Sequence, residues 1–302
     1  MTRVLVTGGS GFVGRPALVD LAGRGHEVHA VSRSADPPVI EGVSWHRADL
    51  ADAAEIDALI GELEPQQLLH LAWYVEHGRF WEAPENVTCV EQSLALLRSF
   101  AARGGTRVVM LGTCAEYDWT LEQPLLDERS SPLRPATLYG VAKDALRRVG
   151  GCYAESRGIE FAWARLFFLY GPWEPPQRLV PAVIRALLAG EPAEVASGIQ
   201  VRDFLHVDDV GGALGALLDC SVVGAVNIAS GEPQTLGEVV DELGRLSGRA
   251  DLIRKGARPD RPGDPERIVA SVQRLRDEVG FTRRWSLADG LAQTLRWWTG
   301  QP

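Results

Sequence analysis

Apolar and polar positions alternate along the first half of the chain with two different periods. Short apolar runs bounded by turn residues predict strands, and longer segments with apolar residues every three or four positions predict helices. The predicted strands are Val4–Val6, Glu27–Val31, Ser44–Arg47, Leu68–Leu71, Arg107–Leu111 and Glu160–Leu166. The predicted helices are Ala17–Leu21, Ala53–Leu63, Val87–Ala102 and Leu138–Arg157. This alternation predicts βαβ units and an α/β fold with a doubly wound parallel sheet.

The regular alternation ends at Gly171–Pro176, which holds three prolines, and Arg258–Pro265 is a second proline-stiffened loop. We therefore expect a smaller C-terminal α/β lobe beside the domain that holds the doubly wound sheet. We interpret the aromatic segment Leu295–Trp298 as helix packing. The predicted boundaries are 1–168 with 205–228 for the sheet domain, and 169–204 with 229–302 for the lobe.

Composition excludes several classes of partner. Lys and Arg total 31 against 40 Asp and Glu, and no basic tract occurs, which argues against nucleic acid and anionic membrane. No run of eighteen apolar residues occurs, and the first strand begins too early to leave room for a signal peptide. The four cysteines are scattered without metal-type spacing, so we expect a cytoplasmic protein with free thiols and no metal.

A glycine-rich loop, Thr7–Gly14, follows the first strand and opens the first helix. Glycines there permit a tight turn and a close approach to a pyrophosphate, and the helix N-terminus offers free N–H groups. The loop predicts a Rossmann-type dinucleotide site that uses Gly8, Gly11, Phe12, Val13 and Gly14. The sheet domain is therefore the predicted dinucleotide-binding domain, and the C-terminal lobe is expected to bind the substrate.

The end of the second strand discriminates between dinucleotides. Ser32 and Arg33 stand there, and no carboxylate occurs until Asp36. An acid at this point would bind the ribose hydroxyls of NAD, whereas a cation accommodates the extra phosphate of NADP. We therefore predict a preference for NADP(H), with NAD(H) as the alternative; the other interpretation of Arg33 is a solvated loop residue.

Tyr139 and Lys143 lie four apart in a predicted helix, so their side chains share one face. A free phenol has a pKa of about 10, and a nearby ammonium favours the phenolate. The pair is therefore a candidate general acid/base, with Lys143 expected to lower the pKa of Tyr139.

Together these motifs resemble the extended short-chain dehydrogenase/reductase family, in particular its nucleotide-sugar epimerases, dehydratases and ketoreductases. The resemblance spans nearly the whole chain. It includes TGGSGFVG, similar to the family's TGGxGFxG loop, and the YxxxK spacing of Tyr139 and Lys143. The other matching segments are Asp49-Leu50, His70-Leu71-Ala72, Arg202–Val207 and Arg261–Asp264.

The resemblance implies roles for further residues. Thr113 would be the third catalytic member beside Tyr139 and Lys143, and Lys143 would also hold the nicotinamide ribose. Further cofactor contacts would be Asp49, Leu50, Leu71 and Ala72. Substrate contacts would come from Trp73, Asn86, Thr113, Phe168, Arg202 and Arg261. Of these, Trp73 has plain packing as its alternative and Asn86 a helix N-cap. Phe168 replaces a family asparagine, so the substrate's phosphates would rely on the two arginines.

The residues after Thr113 bear on the reaction. The family's 4,6-dehydratases place a carboxylate one or two positions after the catalytic Thr, whereas this chain has Cys114 and Ala115. Glu116 comes one position later and, by strand alternation, is expected to face away. A cysteine serves some 3,5-epimerising relatives, but at a position offset by one.

The predicted function is NADPH-dependent reduction of a 4-keto, 6-deoxy nucleotide sugar by hydride transfer at C4. The alternative is an NAD(P)-dependent nucleotide-sugar 4-epimerase, which uses the same three residues. A sugar-nucleotide dehydratase and a non-catalytic NADP-binding scaffold are the remaining interpretations. The resemblance also implies a homodimer, formed by the helices that begin near Asn86 and Leu138.

Overall fold

The computed structural model describes residues 1–301. Its strands are β1 (Arg3–Thr7), β2 (Glu27–Ser32), β3 (Val43–Arg47), β4 (Gln67–His70), β5 (Arg107–Thr113), β6 (Glu160–Leu166), β7 (Phe168–Tyr170), β8 (Ala193–Val195), β9 (Val201–His206), β10 (Gly224–Ile228), β11 (Pro233–Thr235), β12 (Ile253–Lys255) and β13 (Arg267–Ile268). Its helices are α1 (Gly14–Gly23), α2 (Ala53–Leu63), α3 (Glu85–Ala102), α4 (Leu138–Ser156), α5 (Leu179–Ala189), α6 (Val207–Asp219), α7 (Leu236–Ser247), α8 (Gln273–Asp277) and α9 (Leu287–Thr299). Each of the predicted strands and helices is present in the structure, with bounds that differ by a few residues.

The main sheet has seven strands in the order β10-β6-β5-β4-β1-β2-β3. All of its pairings are parallel. The strand order reverses between β1 and β4, and such a switch point is where doubly wound sheets bind ligands. The carboxyl ends of β1, β4 and β5 therefore meet at one edge of the sheet.

Both faces of the main sheet are covered by helices. Val4 and Val6 of β1 pack with apolar residues of α1 and α6 on one face, and Leu5 packs with α2, α3 and α4 on the other. Successive side chains of a strand point to opposite faces, so a strand buried on both faces reads as a continuous apolar run. The predicted doubly wound α/β fold is confirmed.

The C-terminal part has its own apolar core. Helices α5, α7 and α9 contribute most of this core, which lies against the small sheet formed by β7, β9, β11 and β13. Leu295 and Trp298 of α9 pack against this core as expected, whereas Leu275 and Val279 belong to the core of the main sheet. The division into dinucleotide domain and substrate lobe stays a prediction.

Within residues 1–301, none of the helices has the length and apolar character needed to cross a bilayer.

Candidate active site

The glycine-rich loop folds as its sequence predicts. Gly8 has φ +73°, and a Cβ there would lie 2.7 Å from the Ala72 nitrogen, so the loop packs directly on the end of β4. A Cβ on Gly14 would lie 2.2 Å from the Gly8 oxygen. Both positions therefore require glycine. Gly11 is exposed, and Phe12 and Val13 are partly buried against the core of the main sheet.

A buried hydrogen-bond chain fixes the strand ends beneath this loop. His70 places Nδ1 2.6 Å from the Thr7 hydroxyl and Nε2 2.7 Å from the Ser93 hydroxyl. Ser93 donates to the Cys89 carbonyl, so it accepts from Nε2–H of His70. Nδ1 then accepts from Thr7, whose oxygen accepts the Ala72 N–H. This arrangement requires a neutral imidazole, and burial lowers the pKa of His70 to about 3.

His70 should make the protein sensitive to acid. Its pKa is about 3 in the fold and near 6.5 in the unfolded chain, so the unfolded state binds the extra proton between these values and stability falls as the pH falls below about 6.5. Replacing His70 with Gln removes this titration. We expect the stability advantage of the native protein over His70→Gln to shrink by about 2 kcal/mol between pH 7 and pH 5. Urea titrations at both pH values measure it, and a constant difference would contradict the assignment.

Thr113, Tyr139 and Lys143 meet at the carboxyl edge of the main sheet. Thr113 ends β5, while Tyr139 and Lys143 lie in the first two turns of α4, whose N-terminus is capped by the Thr137 hydroxyl. The Thr113 hydroxyl is near enough to the Tyr139 phenol to act on its pKa. The structure thus brings together the three side chains predicted to be catalytic.

Lys143 is buried between the strand end and an aromatic ring. Its Nζ donates to the Leu111 carbonyl at 2.8 Å and lies 3.6 Å from the ring centroid of Trp73. Burial lowers the pKa of Lys143 to about 7, and the charge of Glu116 opposes that change. The ammonium therefore titrates near neutrality, which suits proton exchange.

One electrostatic expectation is wrong. We expected Lys143 to lower the pKa of Tyr139, but burial raises that pKa above its ordinary value, and the nearby Thr113 hydroxyl only opposes the rise. The Lys143 ammonium is directed at the Leu111 carbonyl and the Trp73 ring. Because desolvation disfavours the charged phenolate, Tyr139 is protonated here and set to act as an acid.

The Tyr139 ring stands inside an aromatic wall. Edge-to-face contacts reach it from Phe80 at 4.9 Å, Trp81 at 5.8 Å and Trp73 at 6.5 Å between centroids. The Tyr139 backbone N–H also donates to the Trp81 carbonyl at 2.9 Å. Trp119 packs against Trp81 and has a buried indole N–H with no partner in residues 1–301. The sequence reasoning missed Phe80, Trp81 and Trp119; for Phe80 and Trp81, the aromatic density before α3 was the available signal.

The segment after Thr113 leaves β5 as a buried turn. Residues Cys114–Glu116 form a 3₁₀ turn, in which the fully buried Glu116 accepts from the Thr113 N–H at 2.8 Å and from Arg165 Nη2 at 2.8 Å. The Glu116 carboxylate is directed at Arg165 and the Thr113 N–H, and because β5 ends at Thr113, strand alternation does not set its direction. Burial raises the pKa of the Cys114 thiol to about 12. Cys114 is buried and Glu116 is 0% exposed, so neither side chain presents a surface for contact with a substrate.

The two predicted phosphate-binding arginines differ in exposure. Arg202 of β9 is buried and pairs with Asp264 at 2.8 Å, and its guanidinium carbon lies 5.3 Å from the Phe168 ring. Arg261 is exposed, with its guanidinium carbon 5.8 Å from the Trp81 ring. The loop that carries Arg261 and Asp264 thus reaches the aromatic wall.

Asn86 is buried, and its side chain supports its neighbours through hydrogen bonds. It is 0% exposed, its Oδ1 accepts from Trp73 Nε1 at 2.8 Å, and its Nδ2 donates to the Phe80 and Ala83 carbonyls. A substrate contact by Asn86 stays a prediction. The N-cap alternative is wrong, because Pro84 occupies the N-cap of α3. Asn86 holds the Trp73 indole in place.

The remaining predicted cofactor residues line the same carboxyl edge. Ser32 is buried and its hydroxyl accepts from the Ser34 N–H, while Arg33 is exposed. Leu71 and Ala72 follow β4 beside Gly8, and Asp49 and Leu50 follow β3. Asp49 is exposed and its carboxylate accepts from the Ala51 N–H. Sequence reasoning also missed Arg178, whose positive charge acts on the Tyr139 phenol.

Comparisons with known proteins agree with this geometry. The model of the NAD dependent epimerase/dehydratase family matches residues 4–229. The chain is 28% identical to a dTDP-glucose 4,6-dehydratase of Xanthomonas campestris, covering 99% of this chain and 93% of the relative. It is similar to the UDP-glucose 4-epimerase of Thermus thermophilus in complex with NAD, with 28% identity, a TM-score of 0.87 and 99% of each chain covered. It is also similar to MoeE5 in complex with UDP-glucuronic acid and NAD, with 30% identity, a TM-score of 0.87, and 98% and 99% covered.

Proposed function

Because this chain belongs to the NAD dependent epimerase/dehydratase family, we propose that it reduces the 4-keto group of a nucleotide-linked, 6-deoxy sugar with NADPH. One observation carries the proposal: the three redox residues are assembled, and no acid free to reach a substrate follows Thr113. Cys114 is buried and Glu116 is held by Arg165, so neither is free to act as the acid that elimination of water needs.

The proposed step needs one hydride and one proton. Bound at the glycine-rich loop, NADPH would supply the hydride for C4 of the sugar. Tyr139, kept protonated by burial, gives its proton to the ketone oxygen, and the Thr113 hydroxyl holds that oxygen in line. Lys143, whose pKa of about 7 suits proton exchange, would return a proton to Tyr139. The products are the 4-hydroxy sugar and oxidised cofactor.

The substrate class follows from the walls of the site. Arg202 and Arg261 have guanidinium groups suited to phosphate oxygens, and relatives with solved structures bind UDP-sugars. Phe80, Trp81 and Trp73 offer apolar surface beside Tyr139. Apolar surface favours a sugar carbon without a hydroxyl, which supports a 6-deoxy substrate over a fully hydroxylated one.

A 4-epimerase is the second candidate. It would use the same three residues to oxidise the C4 hydroxyl and reduce the ketone from the other side. The similarity to the Thermus thermophilus UDP-glucose 4-epimerase in complex with NAD favours it.

Incubation with nucleotide sugars separates the two candidates. Purified protein is mixed with 4-keto-6-deoxy sugars and with hexoses linked to UDP, GDP, CDP or dTDP. A reductase consumes added NADPH stoichiometrically with loss of the ketone. An epimerase converts a hexose into its C4 epimer with no net change in absorbance at 340 nm. Release of water from a hexose substrate would contradict both.

Cofactor choice is predicted from Arg33. It is exposed at the end of β2 with no carboxylate beside it in the sequence, so we expect NADPH to bind more tightly than NADH. Replacing Arg33 with Ala should weaken NADPH binding about tenfold or more and leave NADH binding unchanged. Fluorescence titration of both cofactors measures this. Equal affinities of the native protein would overturn the NADP preference.

We further infer a homodimer that works in the cytoplasm. Val87 of α3 and Val141 and Val149 of α4 are exposed apolar residues on the helices that the family resemblance assigns to the dimer. The free cysteines are compatible with a reducing compartment.

A further inference from the structure

Arg15 is a cation fixed at the phosphate loop without an acidic partner. It lies in the first turn of α1, one residue after Gly14, and its Nε donates to the Ser10 carbonyl at 3.2 Å. Partial burial lowers its pKa, and no acidic group of residues 1–301 is close enough to oppose that change. Desolvating a guanidinium without an anion is unfavourable, so this position suits an anionic ligand.

Trp173, in the loop after β7, packs against the Arg15 guanidinium. The Arg15 guanidinium carbon lies 4.0 Å from the Trp173 ring centroid. Trp173 has φ +69°, a left-handed conformation that bulky side chains rarely adopt, and it is still 48% exposed. Such strain is retained mainly where a site depends on it. Here the conformation brings the indole onto Arg15.

The last helix completes the stack. Trp297 of α9 meets Trp173 edge-to-face at 4.9 Å between centroids, and Trp298 packs against Trp297 at 5.1 Å. Trp298 also packs against the core of the lobe. The Arg15–Trp173–Trp297 stack therefore connects the phosphate loop with the substrate-binding lobe.

We infer that Arg15 binds the diphosphate of the dinucleotide and that Trp173 and Trp297 hold its guanidinium in place for that contact. The inference rests on the proposed function only in requiring a dinucleotide at the loop. Loop N–H groups and the helix N-terminus supply partial charges, and Arg15 adds a full charge with free Nη groups that fit phosphate oxygens. Because the two tryptophans hold the Arg15 guanidinium in place, loss of Trp173 or Trp297 should weaken cofactor binding indirectly, through Arg15.

Direct binding of NADPH and of ADP-ribose tests this inference. Loss of a charged hydrogen bond to phosphate corresponds to about a ten- to hundredfold higher Kd, so Arg15→Met should bind both ligands that much more weakly. Arg15→Lys keeps the charge and should fall between. Trp173→Ala should raise the Kd by about three- to tenfold, since the guanidinium remains but is no longer held. Arg148→Met, an exposed change on α4, is the matched control and should bind as the native protein does.

The outcomes separate this inference from the proposed function. If the native protein binds neither NADPH nor NADH, the proposed function fails. If it binds a dinucleotide and Arg15→Met binds it equally well, the Arg15 assignment is overturned. Equal weakening of adenosine, which lacks phosphate, and ADP-ribose would show a general disturbance of the loop and would also overturn it. Circular dichroism confirms that each variant is folded.

Discussion

Replacing Tyr139 with Phe is expected to lower kcat by about 10²- to 10⁴-fold, the usual contribution of a positioned general acid. The phenol is the proposed acid beside Thr113, and the raised pKa of Tyr139 keeps its proton in place. Phenylalanine preserves the ring and therefore its contacts with Phe80 and Trp81. The loss should appear in turnover while the Kd for NADPH stays within about twofold.

Two companion variants make this result specific. Thr113→Val should lower kcat less than Tyr139→Phe, since the hydroxyl orients the substrate oxygen without supplying its proton. Phe80→Leu removes a ring that touches Tyr139 but no reacting group, so it serves as the packing control. Turnover by Tyr139→Phe at the native rate would exclude the proposed mechanism for either a reductase or an epimerase.

The sequence alone was sufficient to predict the fold, because the patterns that specify its strands, helices and glycine-rich loop lie within short segments of the chain. Apolar runs and helical periods place the strands and helices, and a glycine loop between a strand and a helix specifies the cofactor edge. Gly8 and Gly14 illustrate this, since each is required by backbone contacts within or beside the loop. The spacing of Tyr139 and Lys143 is equally local.

The surroundings of the site depend on contacts between distant segments. Phe80 and Trp81 reach Tyr139 only because the loop after β4 folds across the N-terminus of α4. Contacts between distant segments also explain the error about the Tyr139 pKa. Burial raises this pKa, and the burial of a side chain depends on the whole fold. Asn86 was expected to contact the substrate, because nothing in the sequence revealed that its side-chain oxygen accepts a hydrogen bond from Trp73 Nε1.

Glu116 is the residue whose loss should destabilise the protein most. Its carboxylate is 0% exposed and pairs with Arg165, which is 1% exposed. It also accepts from Trp163 Nε1 at 2.9 Å and from the Thr113 N–H. Replacing Glu116 with Gln would leave the Arg165 charge buried without a counter-charge. We expect a loss of about 3–5 kcal/mol in the free energy of unfolding, measured as a lower urea midpoint at unchanged m.

A double substitution distinguishes an uncompensated charge from a simple loss of contacts. Changing both Glu116 and Arg165 to Met removes both charges. The double variant should therefore recover a large part of the free energy of unfolding that Glu116→Gln loses. A double variant no more stable than Glu116→Gln would mean that the hydrogen bonds to Trp163 and Thr113 dominate. Because Glu116 also holds the Thr113 N–H, kcat should fall in the double variant even where stability returns. The ion pair would then support the proposed active site by fixing Thr113, without exchanging a proton with the substrate.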